Sequence, residues 1–221
     1  MKNLNKLSGL LLIGYVIFIF IALIISIKFN ITLFTSDINE SLIKINLNST
    51  AHITELIFDT TSSILLITAS LLLSILFKKK TIALIASLWL IIGGIILAIH
   101  NMGNFALTWV AKEYVNSSPF NVETLKTSAF SMLLTAKWGV TIGSFFIIIG
   151  TILYNLSILK LSKPIGWFGI FAGLLALISL PLVWVDTKYE MLSYNLYLPM
   201  ILWQIIFGIW LIRRNVDYNF A

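Results

Sequence analysis

Residues 134–185 read LTAKWGVTIGSFFIIIGTILYNLSILKLSKPIGWFGIFAGLLALISLPLVWV. Two apolar runs, Gly139 to Leu159 and Ile165 to Val185, flank the basic turn Lys160-Leu-Ser-Lys163-Pro164. Each is close to the ~20 residues of α-helix that cross a hydrocarbon core. Each carries a small-residue seam, Gly139-x3-Gly143 and Gly169-x3-Gly173, of the kind that lets helix backbones approach closely in lipid. The stretch is a transmembrane helical hairpin, and the rest of the chain is arranged around it.

Composition agrees. Of 221 residues, 59% are hydrophobic and 11% charged, against ~45–50% and ~25% in soluble domains. Such a chain lacks the polar groups to cover its own surface, so lipid must serve as part of its solvent. There is no cysteine, which excludes disulfides, thiolate nucleophiles and Cys-based metal or iron–sulfur sites. Two histidines leave little for haem or zinc. The heavy use of Ile, Asn, Lys and Phe points to an AT-rich bacterial genome.

Outward from the hairpin, the same pattern recurs. Leu7 to Ile27 is a first span, too long for the ~7–15-residue core of a signal peptide and without its cleavage site. A polar stretch follows, with a short surface helix expected over Ser36 to Leu47. The second span covers about 54–77 and stops at Lys78-Lys79-Lys80; the third covers about 82–105. Residues 106–133 form a longer outer segment with a turn at Asn116 to Phe120. After the hairpin spans at 139–159 and 165–185 comes a loop, Asp186 to Asn195, and a sixth span, 196–212. Lys and Arg divide 9 to 6 between the two sides, giving net charges of +8 and −2. The positive-inside rule then places both termini in the cytoplasm. Trp109, Trp138 and Trp184 fall at the expected outer boundary, and Trp167 and Trp210 near the inner one, as interfacial indoles should. The two sets of three spans show no sequence echo of an inverted repeat.

Polar groups inside spans are costly and therefore informative. At about 100° per residue, His52, Glu55 and Asp59 share a face, which Ser63, Ser70 and Ser74 continue inward. Trp89, Gly93, His100 and Asn104 share a face of the third span. On the fourth, Lys137, Thr141, Ser144, Ile148, Thr151 and Asn155 form one stripe, with Gly139, Gly143 and Gly150 on another face, and Ile147 expected toward lipid. That helix should be central. One reading gathers Glu55, Asp59, His100 and Lys137, with Asn104 and Ser144, around an outward pocket for a polar or ionic ligand, even a divalent metal. The plainer reading is preferred: Lys137 snorkels beside Trp138, His52 and Glu55 are solvated, Asp59 pairs with Lys137, and the hydroxyls are interhelical glue worth roughly 0.6 kcal/mol each. Pro181 and Pro199 are read as structural, and Gln204 as a hydrogen-bonding partner of another helix. The acceptor patterns at Asn30, Asn48 and Asn116 are read as coincidental. Phosphate-loop, His-Glu-x-x-His and Gly-x-Ser-x-Gly signatures are missing, and no spacing singles out a serine for a triad with His100.

Four features together resemble a family of bacterial six-helix membrane proteins catalogued as a domain of unknown function, number forty-three eighty-six. They are the acidic start Glu55-Leu-Ile and basic end Lys78 to Lys80 of the second helix, Lys137-Trp138-Gly139 at the start of the fourth, Lys163-Pro164-Ile-Gly-Trp167 leading into a Gly-rich fifth, and the ending Pro199-x4-Gln204-x5-Trp210-Leu-Ile before basic residues. The resemblance spans most of the chain. It implies a six-helix membrane fold and no activity. The family often carries Arg and Glu in the third helix, where this chain has the uncharged Leu88 to Gly94, and Glu where Gln204 stands.

The expectation is an all-α polytopic bundle of six transmembrane helices in a bacterial cytoplasmic membrane. It is expected to be a non-catalytic partner-binding, sensory or structural component, without cofactor or metal. Its partners would be the lipid bilayer and a second copy or another membrane protein, with no nucleic acid. A small-solute or ion transporter using Asp59, His100 and Lys137 is the alternative, and a membrane-embedded hydrolase the third reading.

Overall fold

The computed structural model describes residues 2–29, 31, 37–185 and 190–213, and every regular element among them is helical. In chain order these are α1 (Lys2–Phe29), α2 (Ile38–Leu47), α3 (Ser49–Leu76), α4 (Thr81–Asn116), α5 (Pro119–Ile158), α6 (Lys163–Val185) and α7 (Glu190–Arg213). All but α2 are long and apolar enough to cross a membrane. The six long helices pack in cyclic order, each on its neighbour in sequence, and α7 closes back on α1. Large side chains fill the middle: Tyr154 of α5 touches Phe77 near the end of α3 and Phe207 of α7, with ring centroids 5.3 and 5.6 Å apart. Lys78–Lys80, Lys160, Lys163 and Arg213 sit at the same ends of their helices, so the bundle has one basic end. There, partial burial and then the charge of Lys160 hold the Lys80 ammonium below its usual pKa.

Glycines set the closest crossings. A Cβ on Gly93 of α4 would lie 2.6 Å from Ile147 Cγ1 and 2.8 Å from the Gly143 carbonyl of α5. Gly139 and Gly150 of α5 likewise meet α4, whereas Gly169 and Gly173 of α6 meet Asn155 and Ile152 on the other side of α5. So α5 does turn two faces to neighbours, its glycines to α4 and Asn155 and Ile152 to α6, but it is one member of the ring and not the central helix expected. Ile147, expected toward lipid, is instead fully buried, because the missing side chain of Gly93 opens the notch it fills. Ile142, 42% exposed, faces outward in its place.

Two of the helices outrun the spans expected of them. The outer segment expected at 106–133 is helical on both sides of its turn: α4 runs on to Asn116 and α5 starts at Pro119, leaving the expected turn at Ser117 and Ser118. Proline at the first helical position suits that start. The extension holds because its apolar residues keep helical spacing and find a partner. Leu107, Val110 and Ala111 of α4 and Ala129 of α5 close a second core around Leu42 and Ile45 of α2. The short helix expected at 36–47 is thus present over Ile38–Leu47; Asp37 caps it by accepting from the Asn39 N–H at 2.8 Å. The Tyr114 hydroxyl donates to Asn39 Oδ1 at 3.0 Å, fastening α2 to α4. Truncating the fully buried Leu42 to alanine should cost about 3 kcal/mol. We expect trypsin to cut at Lys44 at least about tenfold faster in that variant, with the bundle's melting unchanged; equal cutting would mean that α2 is held by something other than this core.

Of the two prolines, Pro181 lies within its helix as its span predicts, and the position of Pro199 needs correcting. Pro199 was expected near the start of its helix, yet α7 already begins at Glu190, so both it and Pro181 lie inside helices. Each removes an N–H, freeing the carbonyls of Asn195 and Leu177. The acceptor pattern at Asn30 and residues 186–189 of the expected loop lie outside the described residues; the rest of that loop, 190–195, is instead the start of α7.

Candidate functional site

Helix rise sets the height of the polar residues above the basic end. At 1.5 Å per residue, His100 stands about 28 Å above Thr81, Asp59 about 26 Å above Leu76, Gly139 about 28 Å from Ile158 and Trp184 about 32 Å from Lys163. All therefore lie in one layer, near the far limit of a ~30 Å hydrocarbon core. Trp109, nine residues beyond His100 on α4, lies further out and is 63% exposed.

Within that layer the candidate residues divide into separate contacts. Glu55 lies 3.5 Å from His52 Nδ1; His52 is not solvated but buried at 1% exposure, with Nε2 unpartnered. Asp59 accepts from Asn101 Nδ2 of α4 at 3.0 Å, and its other oxygen lies 3.5 Å from the Ser62 hydroxyl. His100 lies against Asn104 one turn on, its ring nitrogens 3.3 and 3.4 Å from the amide nitrogen. Lys137 sits over the Trp184 ring, 4.3 Å from its centroid. Trp184 stacks on Trp138 at 4.4 Å and donates its indole N–H to the Thr141 hydroxyl at 2.8 Å. In place of the expected pairing of Asp59 with Lys137, the Asn101 amide reaches the carboxylate and the ammonium lies over the Trp184 ring. Ser144 lies deeper, against Tyr197 of α7.

The hydroxyl stripes are not interhelical glue in the main. Ser63, Ser70 and Ser74 bond back to the carbonyls of Asp59, Leu66 and Leu71 at 3.2, 2.8 and 2.7 Å, the local satisfaction open to serine in a helix. Gln204 does what was expected of it, its side chain reaching the buried Tyr15 hydroxyl of α1. Among the described residues, no three His, Cys, Asp or Glu side chains come together as a metal-ligand set.

Sequence reasoning missed Asn101, Trp184 as a partner of Lys137, and the Tyr15–Gln204 and Tyr197–Ser144 contacts. Asn101 had a signal: an Asn beside His100 in an apolar run, about 100° around the helix and therefore on the face toward α3. The tyrosines had none, since Tyr reads equally well as interface or core.

These features define a multi-pass membrane protein: six apolar helices, one basic end, a polar and indole layer at the other, and a small helical module beyond it. The chain belongs to the family DUF4386, described as a domain of unknown function, whose sequence model matches residues 7–214. No curated protein and no solved structure matches it.

Proposed function

We propose that this chain is a non-catalytic component of a bacterial cytoplasmic membrane, with its basic end in the cytoplasm, and that it meets a membrane-protein partner or a second copy through the module at the opposite end. One observation carries the reading. Glu55, Asp59, His100 and Lys137 are taken up in four separate contacts, whereas the ends of α4 and α5 join α2 around a core of their own. An ordered module outside the bilayer has no structural duty to the bundle beneath it, and exposed apolar residues on it, Leu47 and Val115 at 74% and 50%, suit a contact surface.

Transport of a small solute or ion is the second reading. It is favoured by the buried, unpartnered acceptors Asn101 Oδ1 and Gln204 Oε1, which stand beside Asp59 and Tyr15 and would suit a hydrated path. The chain's lack of cysteine makes the test direct. Single cysteines at Ser63, Ser144, the lipid-facing Ile142 and the exposed Lys112 would be treated in intact cells with a membrane-impermeant maleimide. Ser63 is fully buried and Ser144 9% exposed. The proposal expects fast labelling at Lys112 alone, with Ser63 and Ser144 slower by on the order of 100-fold because they wait for local opening. Ser63 and Ser144 reacting as fast as Lys112, with Ile142 silent, would mean a water-filled path and favour transport. Failure of Lys112 to label would reverse the orientation.

A further inference from the structure

A groove of about 290 Å³ opens between α4 and α5 beside His100 and Gly139. Ile96, Ile99, His100 and Gly103 of α4 and Ser131 and Thr135 of α5 are among its walls. Ile99 is 61% exposed, and Gly103, Ser131 and Thr135 are exposed too, so the groove opens sideways, away from the bundle core. Its lining is polarised along the membrane normal. His100 and Gly139 mark the far limit of the hydrocarbon layer. Ile96 lies one turn below, about 6 Å; because α5 runs antiparallel, Thr135 lies about 6 Å above and Ser131 about 12 Å above. Below His100 the walls are apolar, and above it Ser131 and Thr135 bring hydroxyls in among Met132 and Ala136, so the hydroxyls all lie toward the headgroups.

The polar floor specifies a head. His100 is 8% exposed and Asn104 fully buried. A neutral imidazole has one accepting nitrogen and one N–H. The Asn104 amide NH₂ serves only the accepting nitrogen, so the ring N–H and Asn104 Oδ1 stay open, and Oδ1 indeed has no partner. Turning the amide over pairs Oδ1 with the ring N–H and opens the other ring nitrogen and the NH₂ instead. Asn104 lies behind His100 and is not a wall of the groove, so what the cavity meets is the ring nitrogen that Asn104 leaves open, donor or acceptor, and a hydroxyl satisfies it in either case. No Lys, Arg, Asp or Glu lines the groove, which disfavours a charged head. The volume falls just below the ~300–1,000 Å³ that encloses a drug-sized ligand, so it takes a head and the first carbons of a chain.

We propose that the α4–α5 groove binds an uncharged, hydroxyl-bearing membrane amphiphile, its head on His100 and its chain running inward along Ile96 and Ile99. The test uses the full-length protein in phosphatidylcholine nanodiscs and a monoacylglycerol with a diazirine near its ester, the crosslinks being mapped by peptide mass spectrometry. The expected result is saturable labelling concentrated at Ile96, Ile99 and Met132, displaced by unlabelled monooleoylglycerol and not by phosphatidylglycerol. Nothing lies within 4 Å of a Cβ at Gly103, so Gly103→Leu grows into open groove while improving helix propensity. It should cut labelling about tenfold without lowering the melting temperature, and His100→Leu should cut it similarly through the lost hydrogen bonds. Should His100→Leu fail to fold, Gly103→Leu decides alone. Labelling spread evenly onto other lipid-facing positions such as Ile24 and Ile178, or untouched by Gly103→Leu, would overturn the proposal. Equal displacement by phosphatidylglycerol would overturn the uncharged head.

Discussion

Gly93→Val is expected to lower the stability of the bundle by about 3 kcal/mol, which corresponds to a fall in melting temperature of roughly 10 °C for a chain of this length. The reason is what a side chain would meet. A Cβ would already sit 2.8 Å from the Gly143 carbonyl and 2.6 Å from Ile147 Cγ1. The carbonyl belongs to the α5 backbone and has no rotamer to change, so relief requires α4 and α5 to move apart. That separation would open the packing of Ile147 and Ile148, both fully buried, and in lipid no hydrophobic drive restores it, since the tails are as apolar as the helices. Circular dichroism melting in detergent, with size-exclusion to follow the folded fraction, reads the effect. Gly103→Ala is the matched control on the same helix: it meets nothing within 4 Å and should be neutral or gain up to ~1 kcal/mol. If Gly93→Val melted like the parent, the α4–α5 crossing would not be held by backbone contact.

The second large effect concerns a carboxylate with one strong donor. Asn101 is fully buried, and its Nδ2 donates to Asp59 at 3.0 Å. Asn101→Leu leaves that carboxyl without the amide, in a setting where an unmet acceptor costs roughly 1–3 kcal/mol and more when charged; we expect a loss of about 2 kcal/mol. Asp59→Asn alone keeps the shape and removes the charge, and should cost under about 1 kcal/mol. The decisive measurement is the double variant. If the loss comes from stranding the carboxylate, Asn101→Leu combined with Asp59→Asn recovers more than half of it, a coupling of at least ~1 kcal/mol in a double-mutant cycle. Additive losses would place the cost in the packing of leucine against α3 instead.

The hairpin shows how much of this was legible beforehand. Two apolar runs of near-membrane length around a Lys-Pro turn allow few folds, because backbone polar groups in lipid must be satisfied within helices. Periodicity also gave the two packed faces of α5, since glycines on one face and polar residues on another cannot both look toward lipid, but not its place, which is in the ring rather than at its centre. It failed at Ile147, where the deciding fact was a glycine on a different helix. At residues 106–133 the turn was legible but the helices on either side of it were not, because the apolar face that orders them buries against α2. The candidate site was legible as a set of residues but not as a set of contacts. Facing angles place Asp59 and Lys137 on interior faces; they do not say that Asn101 and Trp184 are nearer.

The sequence by itself determined that six helices are long and apolar enough to cross a membrane, where the basic residues fall, and that the fourth has two packed faces, because lipid imposes one-dimensional rules of length, polarity and helical period. The tertiary structure alone decided which polar groups meet, that α4 and α5 continue beyond the bilayer under a cap of α2, and that a groove opens beside His100. Those depend on distances between helices, which are set by what each side chain leaves room for on its neighbour, and no periodicity along a single helix records that.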